Sequence, residues 1–348
     1  MFDAVAHAVS ALLGQAQTWL FVTLEQPLLY QLHLMDYDDL AYDATLWFVA
    51  GAAQILAVYA VLRPLEAWRP IERWPDRKAA RVDVIYTLIN RLGLVSLVFF
   101  LALQPAFDNL QEWLRLHGVV NLNLDELLPG MRTHPLLGFL IYLVALDFAG
   151  YWYHRWQHQF QWWWELHAVH HSQRQLTLWA DDRGHLLDDT LQAAFFAALA
   201  LAIGVPPNQF VLLAMLGGAL QSLQHANVRM DFGRLGERLL VSPRFHRLHH
   251  AVGYGHELGH GNRARLYGCN FGILFPWWDL LFHSADFMTP TQPTGVRAQL
   301  PPPEGQGVDY GQGFWAQQWL GLLRMAARLP LPWSRGQSSG STPHSSAT

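Results

Sequence analysis

From Ala44 to Leu62 the chain reads ATLWFVAGAAQILAVYAVL, nineteen residues without a charge. That is close to the roughly 20 apolar residues a helix needs to cross a bilayer. Other segments approach the same length. Val82–Leu103 is one, although it carries Asp83, Asn90 and Arg91, and Pro135–Tyr153 is another, closed by Asp147 and then by histidines. Leu191–Leu223 is long enough for two spans, broken at GVPPN, where a glycine and adjacent prolines favour a turn. The first 34 residues are moderately apolar and read as either an interfacial or a spanning helix. Leu274–Phe282 is too short to span and reads as an interfacial dip. The expected fold is all-α: a multi-pass transmembrane helical bundle.

Charge gives this bundle an orientation. Arg63, Arg69, Arg73, Arg77, Lys78 and Arg81 crowd the loop after the first clear span, against Glu66, Glu72 and Asp76. The positive-inside rule makes that loop cytoplasmic. Counting crossings from it puts Asp36, Asp38, Asp39 and Asp43 outside, and every histidine cluster on the cytoplasmic face.

Composition agrees. Hydrophobic residues make up 51% and charged residues 14%, against about 25% charged in an average soluble domain. Sixteen tryptophans suit membrane–water interfaces. A net charge of −4 offers no basic footprint, so no nucleic-acid partner is expected. The single cysteine, Cys269, excludes an internal disulfide and any multi-cysteine zinc or iron–sulfur site. No basic n-region precedes the first apolar residues, so no cleaved signal peptide is expected. The chain divides into a membrane-embedded region over 1–134, a catalytic region over 135–288 and a C-terminal tail over 289–348. After about residue 330 the tail is rich in Ser, Gly and Pro and is expected to be disordered.

Thirteen of the eighteen histidines lie between His154 and His283. His154 and His158 are four apart. His167, His170 and His171 stand at i, i+3 and i+4, and His246, His249 and His250 repeat that spacing. On a helix these offsets place the members of a cluster on one face, within reach of a single centre. Imidazole suits zinc, copper, iron and nickel. Eight such groups exceed what one ion takes, so two neighbouring ions are expected. Unpaired titratable groups near a membrane are costly and mark function.

At these residues the chain resembles the fatty acid hydroxylase/sterol desaturase family of membrane oxygenases. The resemblance rests on DFAGYWYHRWQH, ELHAVHHS, QHANV, SPRFHRLHH and CNFGILFPWWDLLF, which follow in that order between Asp147 and Phe282. It implies four helices around a cytosolic-side, histidine-rich centre of two non-haem iron ions, which uses O₂ on a lipid C–H bond. The implied ligands are His154, His158, His167, His170, His171, His246, His249 and His250, with His225 of QHANV as a further one. His185, in DRGHLLD, sits where relatives show R-x-H-P-L-E and is expected as a ligand or a neighbour of the ligands. Asn227 and Asn270 match polar positions beside the centre. Asp147, seven residues before His154 on the same helix face, is placed to orient an imidazole N–H, and Asp279 is a weaker candidate for the same role. Gly268 stands where an acidic residue is often found.

One string points elsewhere. His256–His260 reads HELGH, an HExxH match to zinc metalloproteases. Glycines at 253, 255, 259 and 261 oppose the helix that motif requires, at about 1 kcal/mol each. The string reads better as a polar loop over the metal site, with Glu257 near the ligands. The expected activity is therefore oxidoreductase chemistry: O₂-dependent hydroxylation of a lipid, with desaturation as the alternative. An HExxH hydrolase and a non-catalytic metal-binding membrane protein are more distant readings. No haem-binding or flavin motif is fused, so electrons must come from a separate donor of ferredoxin or cytochrome b5 type with its reductase. The host membrane would be the plasma membrane in a bacterium or the endoplasmic reticulum in a eukaryote.

Overall fold

The computed structural model describes residues 2–74, 77–94, 104–118, 122–256, 268–288 and 291–329. Among them no strand forms; the one β-type contact is an isolated antiparallel bridge between Ala251 and Thr294. The helices that matter are α1 (Phe2–Leu20), α2 (Asp38–Trp68), α3 (Lys78–Arg91), α4 (Gln104–Leu116), α5 (Pro135–Gln159) and α6 (Gln161–His171). They continue as α7 (Leu186–Ile203), α8 (Pro207–His225), α9 (Pro243–His249), α10 (Trp277–Leu281) and α11 (Phe314–Arg328).

Three helical stretches are long and apolar enough to cross a membrane, by length and composition: Met35–Trp68, Pro135–Gln159 and Leu186–Ile203. Only 28%, 44% and 17% of their most apolar windows is buried inside the protein. A helix that is apolar all round and mostly uncovered suits a hydrocarbon solvent, not water. The break expected at GVPPN is present. Gly204 ends α7 in the left-handed conformation (φ 76°), and Pro207 opens α8, an αL cap followed by a proline at the first helical position. The stretch Val82–Leu103 is different. Helix α3 starts at Lys78, ahead of it, and ends at Arg91 before Gly93 (φ 85°), so the described part is not one continuous span. Residues 95–103 lie outside the described residues.

A single extended residue, Phe160 (φ −88°, ψ 114°), separates α5 from α6 and turns the chain back on itself. The two helices pack together. Phe139 and Tyr142 of α5 meet Ala200 and Ile203 of α7 and Leu213 of α8 in one buried cluster. Val58 and Leu62, near the end of α2, pack with Leu178, Ala226 and Val228. On the other side α11 lies along α6, and Phe314 joins Tyr86 of α3 and Val169 of α6. Gly321 permits that approach: a Cβ there would stand 2.6 Å from Cδ2 of His185. Residues 291–329, expected as the first part of a tail, thus carry a helix packed onto α6. Residues 330–348 lie outside the described residues.

Candidate metal centre

Nine buried histidines gather into two groups. His154, His158, His167, His171 and His249 form the first, and His170, His225, His246 and His250 the second; within each, one nitrogen per residue lies within 4.8 Å of all the others. The groups are adjacent, since the rings of His171 and His250 stack at 4.3 Å.

The helical spacing produces this division, and each HxxHH cluster is split between the two groups. Helix α6 sends His167 and His171 to the first group and His170 to the second. Helix α9 and its cap do the reverse, sending His246 and His250 to the second group and His249 to the first. Successive helical residues turn by about 100°. Positions i and i+4 therefore diverge by about 40°, whereas i+3 falls about 60° to the other side of i. Each motif holds one ion site with a pair and reaches the other with its third imidazole. His154 and His158 arrive one turn apart at the end of α5, and His225 is the last residue of α8. Ser242 caps α9 by accepting the Phe245 N–H at 3.1 Å, and Pro243 opens it, which fixes this seven-residue helix locally.

The hydrogen bonds set the tautomers. Nδ1 donates to a backbone carbonyl in His154 (Phe271, 2.9 Å), His249 (Cys269, 2.7 Å), His170 (Arg183, 2.9 Å) and His225 (Gln221, 2.8 Å). A carbonyl only accepts, so the proton sits on Nδ1 and the Nε2 lone pair points inward. In the second group the Nε2 atoms stand 3.0–3.2 Å apart across four contacts among His170, His225, His246 and His250. A tetrahedral ion with nitrogens at about 2.0–2.1 Å separates its ligands by about 3.3 Å. In the first group Nε2 of His158, His167, His171 and His249 is buried with no hydrogen-bond partner. Each such orphan costs about 1–3 kcal/mol. An extra proton is no remedy. Burial and the neighbouring imidazoles hold His170, His171, His246 and His250 well below the ordinary histidine range, and burial takes His249 down to about 3. Converging lone pairs with no donor between them fit metal cations.

The expected supporting residues act one step further out. Asp147 does not touch an imidazole; its carboxylate accepts the Leu274 N–H at 2.7 Å and Trp278 Nε1–H at 2.8 Å. Asp279 accepts the N–H groups of Phe271 and Gly272 at 2.9 and 2.7 Å and the Ser284 hydroxyl at 2.6 Å. Burial pushes the Asp279 carboxyl up to about 6. Asn270, with φ 60°, donates to the carbonyls of Phe245 and Asp286. All three brace the loop whose carbonyls at 269 and 271 orient His249 and His154. Asn227 bonds the main chain of Glu72 in both directions, pinning the segment after His225. His185, expected as a ligand or a neighbour of the ligands, lies outside both groups. Its Nδ1 accepts the Leu187 N–H, capping α7, and its Nε2 lies 2.9 Å from the Gln318 carbonyl. Glu257 lies outside the described residues, as does the HELGH string after His256. The His256 ring stacks on Trp164 at 3.9 Å, and Trp164 is 5.0 Å from His158.

One carboxylate escaped the sequence reading. Asp188 Oδ2 lies 3.5 Å from Nδ1 of His167, and the same side chain accepts from Gln157 Nε2 at 2.8 Å and Trp163 Nε1 at 2.7 Å. The signal was present: Asp188 ends the DRGHLLD run, at the acidic position of the R-x-H-P-L-E pattern that this run resembles.

Comparison with known proteins agrees with this geometry. The chain is 30% identical over 154 residues to an ornithine lipid hydroxylase of Rhizobium tropici, covering 44% of this chain and 43% of that protein. It is 32% identical over 139 residues to the alkylglycerol monooxygenase of Danio rerio, covering 40% and 28%. A Delta(7)-sterol 5(6)-desaturase of Gibberella zeae is 24% identical over 234 residues, covering 66% and 64%. The chain therefore spans less than half the length of the first two relatives. No solved structure matches. Residues 139–284, which contain all nine histidines, match the family described as fatty acid hydroxylase.

Proposed function

We propose that the protein is a multi-pass membrane oxygenase that holds two non-haem iron ions and hydroxylates a C–H bond of a lipid, using O₂ and electrons from a separate donor. The observation that carries this reading is the pair of adjacent all-histidine groups, nine imidazoles that each bring one ring nitrogen within 4.8 Å of the others in its group. The five-histidine group exceeds the four ligands of a structural zinc site, which favours a metal of higher coordination number. When bound, an iron pair supplies the power to activate O₂ toward an unactivated carbon. The chain's own contribution is orientation and exclusion. Backbone carbonyls hold the tautomers, the braced 269–275 loop holds those carbonyls, and burial keeps water and protons away from the imidazoles.

The relatives' names speak of ornithine lipid, alkylglycerol and sterol, which supports a lipid substrate without choosing among them. The sterol desaturase alignment covers the larger share of this chain, which keeps desaturation as a second reading. A cytoplasmic centre is supported by its place in the bundle. Glu66, near the end of α2, accepts the N–H groups of Leu178 and Asn227, and Arg247 of α9 pairs with Glu72 at 2.6 Å. The histidine groups thus share one end of the bundle with the arginine-rich 63–81 segment.

Metal analysis and isotope labelling test the proposal together. The purified full chain should carry two irons, and with a reductant and ¹⁸O₂ it should place one labelled oxygen in a lipid product. A single zinc with no O₂ uptake would overturn the reading. An unlabelled alkene as sole product would make the enzyme a desaturase.

A further inference from the structure

Between α2, α5, α7 and α8 lies a cavity of about 430 Å³, within the roughly 300–1,000 Å³ common for small-molecule sites. One end is walled by Leu143, Leu146, Phe196, Phe210 and Leu213, and the other by Asn90, Arg91, Asp181, Asp182 and Asp189. The polar end adjoins the metal centre. Gln221, also in the wall, holds His225 through its carbonyl, and Asp181 and Asp182 directly precede Arg183, whose carbonyl holds His170.

The polar end is unbalanced in two ways. Arg91 serves both Asp181 and Asp182, the latter at 2.7 Å, while Asp189 pairs with no cation among the described residues and has only Asn90 Nδ2 at 3.5 Å. Three carboxylates thus face one guanidinium. In addition, Asp181 Oδ1, on a side chain 4% exposed, and Asn90 Oδ1 are buried without a donor. Both orphans are acceptors, so the missing partner must bring N–H or O–H groups. An anionic group would meet carboxylates and supply nothing to either orphan.

We propose that this cavity binds the lipid substrate, and that the lipid's polar end donates hydrogen bonds and carries no negative charge. This rests on the oxygenase reading for calling the occupant a substrate. The head is a hydroxyl or ammonium group, not a carboxylate or phosphate, and the chain lies in the apolar end. Gly217 tests the location. It lines the cavity, and a Cβ there would meet only Gln221 Nε2 at 3.9 Å, so a leucine would project into open space.

The experiment measures binding of four probes with one chain length to the iron-loaded full protein in detergent at neutral pH: hexadecylglycerol, hexadecylamine, hexadecanoate and hexadecyl phosphate. The glycerol ether or the amine should bind at least about tenfold more tightly than both anions. Gly217→Leu should weaken all binding by about tenfold, with iron content unchanged as evidence of folding. If the amine is preferred and loses its advantage in Asp189→Asn, the head is cationic; if the glycerol ether binds as well or better, the head is a polyol. Anions binding as tightly as the donors, or Gly217→Leu leaving every affinity unchanged, would overturn the proposal. Labelled product from anionic lipids would defeat this inference alone. Failure of all ¹⁸O₂ incorporation alongside the predicted selectivity would defeat the oxygenase reading alone.

Discussion

Nε2 of His170 and Nε2 of His225 face each other at 3.2 Å, while the Nδ1 of each donates to a carbonyl on its own side. Neither facing nitrogen has a proton to offer, so the pair is repulsive until a cation sits between them. His170 comes from α6 and His225 from the end of α8, so an ion shared between them would tie two helices that are far apart in sequence.

Single substitutions should therefore remove ions by group and not by motif. His170→Ala and His246→Ala should deplete one iron, and His167→Ala and His249→Ala the other, although 246 and 249 belong to one HxxHH run. Activity should fall by more than about a hundredfold in all four, beyond the 10–100-fold typical of losing a supporting residue. Iron content and Mössbauer spectra of the variants check this. Depletion of the same ion by His246→Ala and His249→Ala would show that the helical division is wrong.

Asp279→Asn should weaken metal binding by about 10–100-fold with every histidine intact. The carboxylate accepts two backbone N–H groups and a hydroxyl at once, and an amide offers only one oxygen. The loop carbonyls at 269 and 271 would lose their register against His249 and His154. Competition with a chelator measures the affinity, and an unchanged value would make Asp279 dispensable.

Gly321→Leu should pry α11 from α6. Even a Cβ there stands 2.6 Å from His185 Cδ2, and overpacking of this kind costs about 1–3 kcal/mol. Thermal unfolding followed by circular dichroism should show the loss, whereas Gly313→Ala, with nothing within 4 Å of its Cβ, should show almost none.

The metal site was the most legible part of the sequence, because imidazoles at i, i+3 and i+4 leave few other uses for so many titratable groups near a membrane. What spacing alone could not supply was the partition, which depends on where α9 crosses α6. Asp188 stayed hidden because an Asp188–Asp189 pair in the first turn after a helix cap resembles ordinary helix-dipole chemistry. Helix α11 was illegible for a different reason. It buries Gln317 and Gln318, at 2% and 7% exposure, and leaves Trp315 and Trp319 exposed at 77% and 62%. A pattern read on the assumption that apolar residues face the protein points such a helix the wrong way. Gln318 bonds the Gly184 carbonyl, the Leu186 N–H and Tyr86, so the glutamines are the contact and the tryptophans are the outer face.

Acid should unfold the metal-free protein early. Burial keeps His170, His171, His246 and His250 well below the ordinary histidine range and takes His249 down to about 3. A histidine whose pKa is lower folded than unfolded binds fewer protons when folded, so protons favour the unfolded chain. Its contribution is complete above the unfolded value of about 6.5 and is lost steadily as pH falls toward the folded one. The slope is about 1.4 kcal/mol per pH unit for each such group. Several acting together should make the apo protein markedly less stable at about pH 5 than at about pH 7. Denaturant titration of the iron-free protein across that range measures it, and the iron-loaded form should show the same protons as metal release. An apo stability that stays flat between those two pH values would mean that the imidazoles are not buried as neutral groups, and the case for cations in their place would lose its basis.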